Sequence, residues 1–159
     1  MTTKQSITDN TITDAGHEPS TIPQVRALCA HLDCQPDELT LETYENYGLP
    51  VYSMGRQEYA IGTDSEADAA VAENIKDSIW AFNASFLASF TGLPEEMFSG
   101  MQDKCEGAND AFLTCVERAE GGLDAFISEA VSADGRGHFL SGYDGEENEE
   151  GEFYIYRTN

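Results

Sequence analysis

Thirty Asp and Glu against eight Lys and Arg leave this 159-residue chain with a formal charge of −22, and any compact fold must hold those carboxylates apart. A folded monomer of this length exposes roughly 7,900 Å², or about one carboxylate per 260 Å². A screening length of about 8 Å sweeps roughly 200 Å², so neighbouring carboxylates feel one another's fields. Self-repulsion is therefore a standing cost, and contact with polyanionic nucleic acid is unfavourable. Leu, Ile, Val and Phe total 31 of 159, near the one-fifth level below which highly charged chains stay disordered. Folding has to be argued from the placement of those few apolar residues.

No run approaches the roughly 18 apolar residues of a membrane span, and Met1 to Ser6 lack the apolar core of a signal peptide. The expectation is a cytoplasmic protein with no membrane contact. Residues 1 to about 20 carry isolated Ile7 and Ile12 without a periodic face and read as a flexible tail, leaving one domain over 21–159. Pro23 with Val25, Leu28, Cys29 and Leu32 predicts a helix over about 22–33. A short turn or helix begins at Pro36, and Leu39, Leu41, Tyr44 and Tyr47 are expected to cover one side of the core before Gly48 stops it.

Two strands flank Gly55-Arg56, a Gly-X pair suited to a tight hairpin over about 49–62. Thr63 and Glu66 form a capping box. From there Ala67, Val71, Ile75, Ile79, Phe82, Phe86 and Phe90 step by four or three, which predicts one long helix over about 64–90. A further helix opens at Pro94 and runs through a bend near Gly107, and another follows Gly121-Gly122 and closes at Asp134-Gly135. Residues 137–141 and 152–157 read as a second hairpin, about 137–158, joined by an acidic loop. The expected fold is α+β, a small antiparallel sheet of two hairpins with three to five helices on one face.

Three blocks, Glu58 to Asp68, Ile75 to Asn83, and Asp134 to Ser141 with Tyr143 to Glu147, resemble one family over roughly residues 48 to 159. It is that of uncharacterised acidic proteins encoded by bacteriophages and other mobile elements. The family has no assigned reaction, so the resemblance implies a setting and no site residues. In that setting an accessory protein meets host restriction, CRISPR and transcription enzymes whose basic DNA channels an acidic surface can block.

Asp144, Glu146, Glu147, Glu149, Glu150 and Glu152 are the densest charge and the first candidates for contact with a cationic partner. A solvated loop kept soluble by charge is the plainer reading. The run lacks the ligand spacing of an EF-hand, and no metal or cofactor is expected. Asp68, Glu73 and Asp77 are the second group, read as a row along the long helix. Cys29, Cys34, Cys105 and Cys115 lack a Cys-x-x-Cys pair; Cys29, Cys105 and Cys115 fall in apolar stripes and are expected to be buried thiols. The leading expectation is a non-enzymatic inhibitor of DNA-mimic type that blocks a host DNA- or RNA-binding protein. The alternative is a salt-adapted interaction domain, consistent with only three Lys. A third is an enzyme using His138 with Asp134 or Asp144.

Overall fold

The computed structural model describes residues 22–159. The expected tail over 1–20 lies outside the described residues. The elements in chain order are α1 (Pro23–Leu32), β1 (Thr40–Asn46), β2 (Leu49–Met54), β3 (Gln57–Thr63), α2 (Asp64–Ser78), α3 (Ala84–Thr91), α4 (Glu95–Gln102), α5 (Asn109–Glu117), α6 (Gly122–Asp134), α7 (Arg136–Leu140), β4 (Asn148–Glu150) and β5 (Phe153–Arg157). The strands form one antiparallel sheet in the order β1-β2-β3-β5-β4, so the fold is α+β. No helix among the described residues is long and apolar enough to cross a membrane.

The first hairpin forms as its residues dictate. Val51 pairs with Ala60 and Tyr52 with Tyr59 around the turn at Gly55-Arg56, where Gly55 takes φ 64°. Period-two alternation then sends Val51, Ala60 and Tyr156 to one face and Tyr52, Tyr59, Ile61, Phe153 and Ile155 to the other. The helical layer from α2 onward covers the first face. Val25 and Leu28 of α1 cover the second, so helices lie on both faces and not on one as the pattern predicted. Phe153 and Ile155 accordingly pack on α1, away from α2.

Further expectations are corrected. Residues 40–46 are an edge strand, and Leu41, Tyr44 and Tyr47 are exposed, not core. They have a helical spacing, but Tyr47-Gly48, at φ 51° and 87°, turns the chain straight back into β2. Only Leu39 joins an apolar cluster, beside α1.

The long helix is two helices. Ser78 Oγ donates to the Asn74 carbonyl, a 3₁₀ turn follows over Ile79–Ala81, and Asn83 Oδ1 accepts from the Ser85 amide to cap α3. The peptide groups freed by the break are satisfied from distant helices. Asn109 Nδ2 donates to the Lys76 carbonyl at 2.7 Å and its Oδ1 accepts from the Trp80 amide at 3.2 Å, while Gln102 Nε2 donates to the carbonyls of Trp80 and Phe82. The apolar stripe keeps its purpose across the break. Phe82, Phe86 and Phe90 gather around buried Phe126 of α6 at ring distances of 5.1, 5.3 and 5.1 Å, each such pair adding about 1 kcal/mol beyond its burial.

Residues 136–140 are helix α7 and not a strand. The second hairpin is shorter than expected and consists of β4 and β5 around Gly151-Glu152. Two distant amides hold α7 in place, with Asn74 Nδ2 donating to the Phe139 carbonyl and Asn46 Nδ2 to that of Leu140. The four cysteines are free thiols; Cys105 is exposed and Cys29 and Cys115 are half-buried, against the expectation of burial.

Candidate functional site

Two glycines flank Arg136, and one of them decides where the acidic segment lies. Gly137 is buried in α7, and a Cβ there would meet the Gly145 carbonyl oxygen, with Glu146 C at 2.7 Å and Glu147 N at 2.9 Å. The backbone of 145–147 therefore lies directly on α7, an approach only glycine permits. That contact brings Glu147 to Arg136, which binds it through both carboxylate oxygens, Nε to Oε2 at 2.8 Å and Nη2 to Oε1 at 3.2 Å.

The same guanidinium reaches the start of α2. Its Nη1 donates to Asp64 Oδ1 and Asp68 Oδ1, each at 2.9 Å, and to the Asp64 carbonyl at 3.2 Å. Its plane rests over the Tyr154 ring at 4.3 Å, and the Tyr156 hydroxyl donates to Glu147 Oε2 from below. The Arg136 side chain is 10 % exposed, whereas those of Asp64 and Asp68 are 69 and 65 % exposed. Burial works against the charged guanidinium, but hydrogen bonds to Glu147 and Asp64 outweigh it and hold its pKa above the ordinary arginine value. Burial and then the bond to Glu147 raise the Tyr156 phenol well above the ordinary tyrosine range, so it remains a donor.

Arg136 thus joins the two groups of residues expected to bind a partner. Glu147 of the first and Asp68 of the second meet on one surface. The other members behave differently. Asp144 accepts from the Glu146 amide and from Ser141 Oγ, which lower its pKa, so it is a loop staple. Glu149 and Glu150 lie on edge strand β4, with Glu152 in its turn. Glu146 and Glu152 are exposed and Glu150 is half-buried. The helical row divides, because Asp68 and Glu73 are five residues apart and point roughly 140° from one another around the axis. Glu73 pairs with Lys76 at 2.7 Å, and Asp77 is exposed.

His138 and Asp134 line one cleft with Asn74, Ser78, Ala81, Phe82, Asn83 and Phe139. The hydrogen bonds among the described residues include none between His138 and Asp134 or Asp144, and the Asp144 carboxylate is taken by Ser141 and Glu146. Among the described residues no group of three or more His, Cys, Asp and Glu side chains is placed to hold a metal. The role of Arg136 as a hub is not legible in composition or periodicity. The available signal was the Gly-Arg-Gly frame, in which a bare α-carbon beside a cation lets a second segment close upon it. No protein-family model, curated protein or solved structure matches the chain.

Proposed function

We propose that this is an acidic accessory protein of phage type that binds a basic surface on a host nucleic-acid-binding enzyme and blocks it by presenting carboxylates where phosphates would lie. The observation that carries the reading is the meeting of Asp64, Asp68 and Glu147, with Glu149 on the adjoining edge strand, on one surface served by a single arginine. Three carboxylates on one cation leave a net negative surface whose geometry is held rigid, as a phosphate imitation requires. The reading needs no catalytic group, and its partner is a protein, not nucleic acid.

The test is competition. A purified DNA-binding enzyme with a basic channel is loaded with labelled duplex and titrated with the protein at about 0.1 M salt. Release of DNA that weakens steeply by about 0.3 M salt is expected, since each phosphate-like contact releases counterions. If such enzymes are neither retained on the immobilised chain nor stripped of DNA at moderate salt, while a control acidic inhibitor succeeds, the reading fails.

A second reading, a salt-adapted interaction domain, draws on a different observation. Exposed carboxylates also stand far from Arg136, including Glu45 on the opposite edge strand, Glu95 and Glu96 on α4, and Glu117 on α5. It requires thermal stability that keeps rising into molar salt and no competition with DNA.

A further inference from the structure

Two clefts of about 450 and 380 Å³ adjoin at Phe82, Asn83 and Asp134. They open beside the break between α2 and α3, where the end of α6 passes it. One is walled by Phe82 and Phe86 with Ser85, Ser89 and Ala133; the other is polar, with Asn74, Ser78 and His138. We infer that this double cleft receives one arginine side chain of a protein partner, its methylenes on Phe82 and Phe86 and its guanidinium on Asp134.

Three features fit that occupant. Asp134 is the last residue of α6, where unpaired carbonyls and the negative end of the helix dipole add to its own charge. Such a carboxylate destabilises the free helix and favours any cation brought to it. Among the described residues, Asp134 has neither an ion pair nor a side-chain hydrogen bond, because Arg136, two residues on, is committed to Asp64, Asp68 and Glu147. The walls then select among cations. Phe82 and Phe86 lie 6.1 Å apart with planes at 29°, and Phe82 and Phe139 6.0 Å apart with planes at 16°. Phe82 and Phe86 receive the apolar stem, and Phe139, which lines the polar cleft with Asp134, suits a flat, weakly hydrated guanidinium better than a compact ammonium. The inference relies on the proposed function for the partner being cationic, but the location and the preference for arginine come from the cleft.

The probe is N-acetyl-arginine amide, titrated into the isotopically labelled full-length protein and followed by amide chemical shifts. Saturable shifts confined to residues 82–86 and 133–139 are expected, with N-acetyl-lysine amide binding at least about threefold more weakly. Asp134→Asn should weaken the arginine probe about tenfold while leaving the spectrum of the free protein folded, and Glu117→Gln on α5 should leave binding unchanged. Shifts spread over carboxylates around the whole surface, or equal affinity in Asp134→Asn, overturn the inference. If the arginine probe binds as expected but no enzyme is displaced from DNA, the inhibitory function fails and the cleft stands. If DNA is displaced equally well by Asp134→Asn, the acidic surface stands and the cleft does not.

Discussion

Arg136 and Asp134 are two residues apart and face opposite situations. At Arg136 one guanidinium, nearly enclosed, is shared by three carboxylates and a tyrosine ring. At Asp134 one carboxylate stands at the negative end of a helix beside aromatic walls and has no cation among the described residues. The difference shows that in a chain of charge −22 the number of carboxylates says little about their use. What matters is where the few cations are held. Carboxylates within reach of Arg136 are fixed in one surface that ties α2 to α7, and those beyond it are held less closely.

The contrast breaks most severely at Gly137. Alanine there pushes its Cβ into the backbone of 145–147, which must move and carry Glu147 off Arg136. A loss of about 2–3 kcal/mol is expected, measured by urea denaturation. Arg136→Met should cost about 2 kcal/mol. Removing one partner of a fully buried pair costs about 3–5 kcal/mol, but Glu147 is 29 % exposed and the two aspartates more so, which lowers the figure. Asp134→Asn has the opposite sign. Relieving the helix dipole should raise stability by about 0.3–1 kcal/mol, seen as a higher thermal midpoint. A destabilised Asp134→Asn would mean that Asp134 has a structural role and the contrast is mistaken.

The smallest effect is a pH dependence. The Glu146 amide and Ser141 hydroxyl lower the folded pKa of Asp144, so its contribution is fully present above its unfolded value, about 3.9, and is lost as pH falls through the lower folded value. Glu66, lowered by the amide and then the hydroxyl of Thr63, behaves likewise below about 4.3. Asp144→Asn should therefore flatten the acid limb of a thermal-midpoint profile below about pH 4.

Much of the fold was legible because its signals are local. The Gly55-Arg56 hairpin, the Thr63–Glu66 capping box, the stop at Gly92 and the separation at Gly121-Gly122 each depend on residues within a turn of one another. The phenylalanine stripe was legible in content but misleading in geometry. Phe82, Phe86 and Phe90 do share one side, yet the helix beneath them breaks because Gln102 and Asn109, 20 to 33 residues away, satisfy the peptide groups a continuous helix would have satisfied itself. The edge strand at 40–46 was misread because an apolar spacing of three fits a helix until the Tyr47-Gly48 turn is given its positive φ.

The candidate site divides in the same way. From composition and order alone follow the excess of carboxylates, their density over 144–152 and the expectation that such a surface repels nucleic acid. Which of them work inside the protein required the fold, because Arg136 meets Asp64 and Asp68 across 72 and 68 residues of chain. Residues 136–140 become a helix because Asn46, Asn74 and the backbone of 145–147 close around them from three directions. Periodicity reports which side of a segment is greasy, and charge reports what a surface repels; neither reports which distant amide or guanidinium completes a hydrogen bond. Those partners are selected by packing, which brings together groups that no local pattern relates.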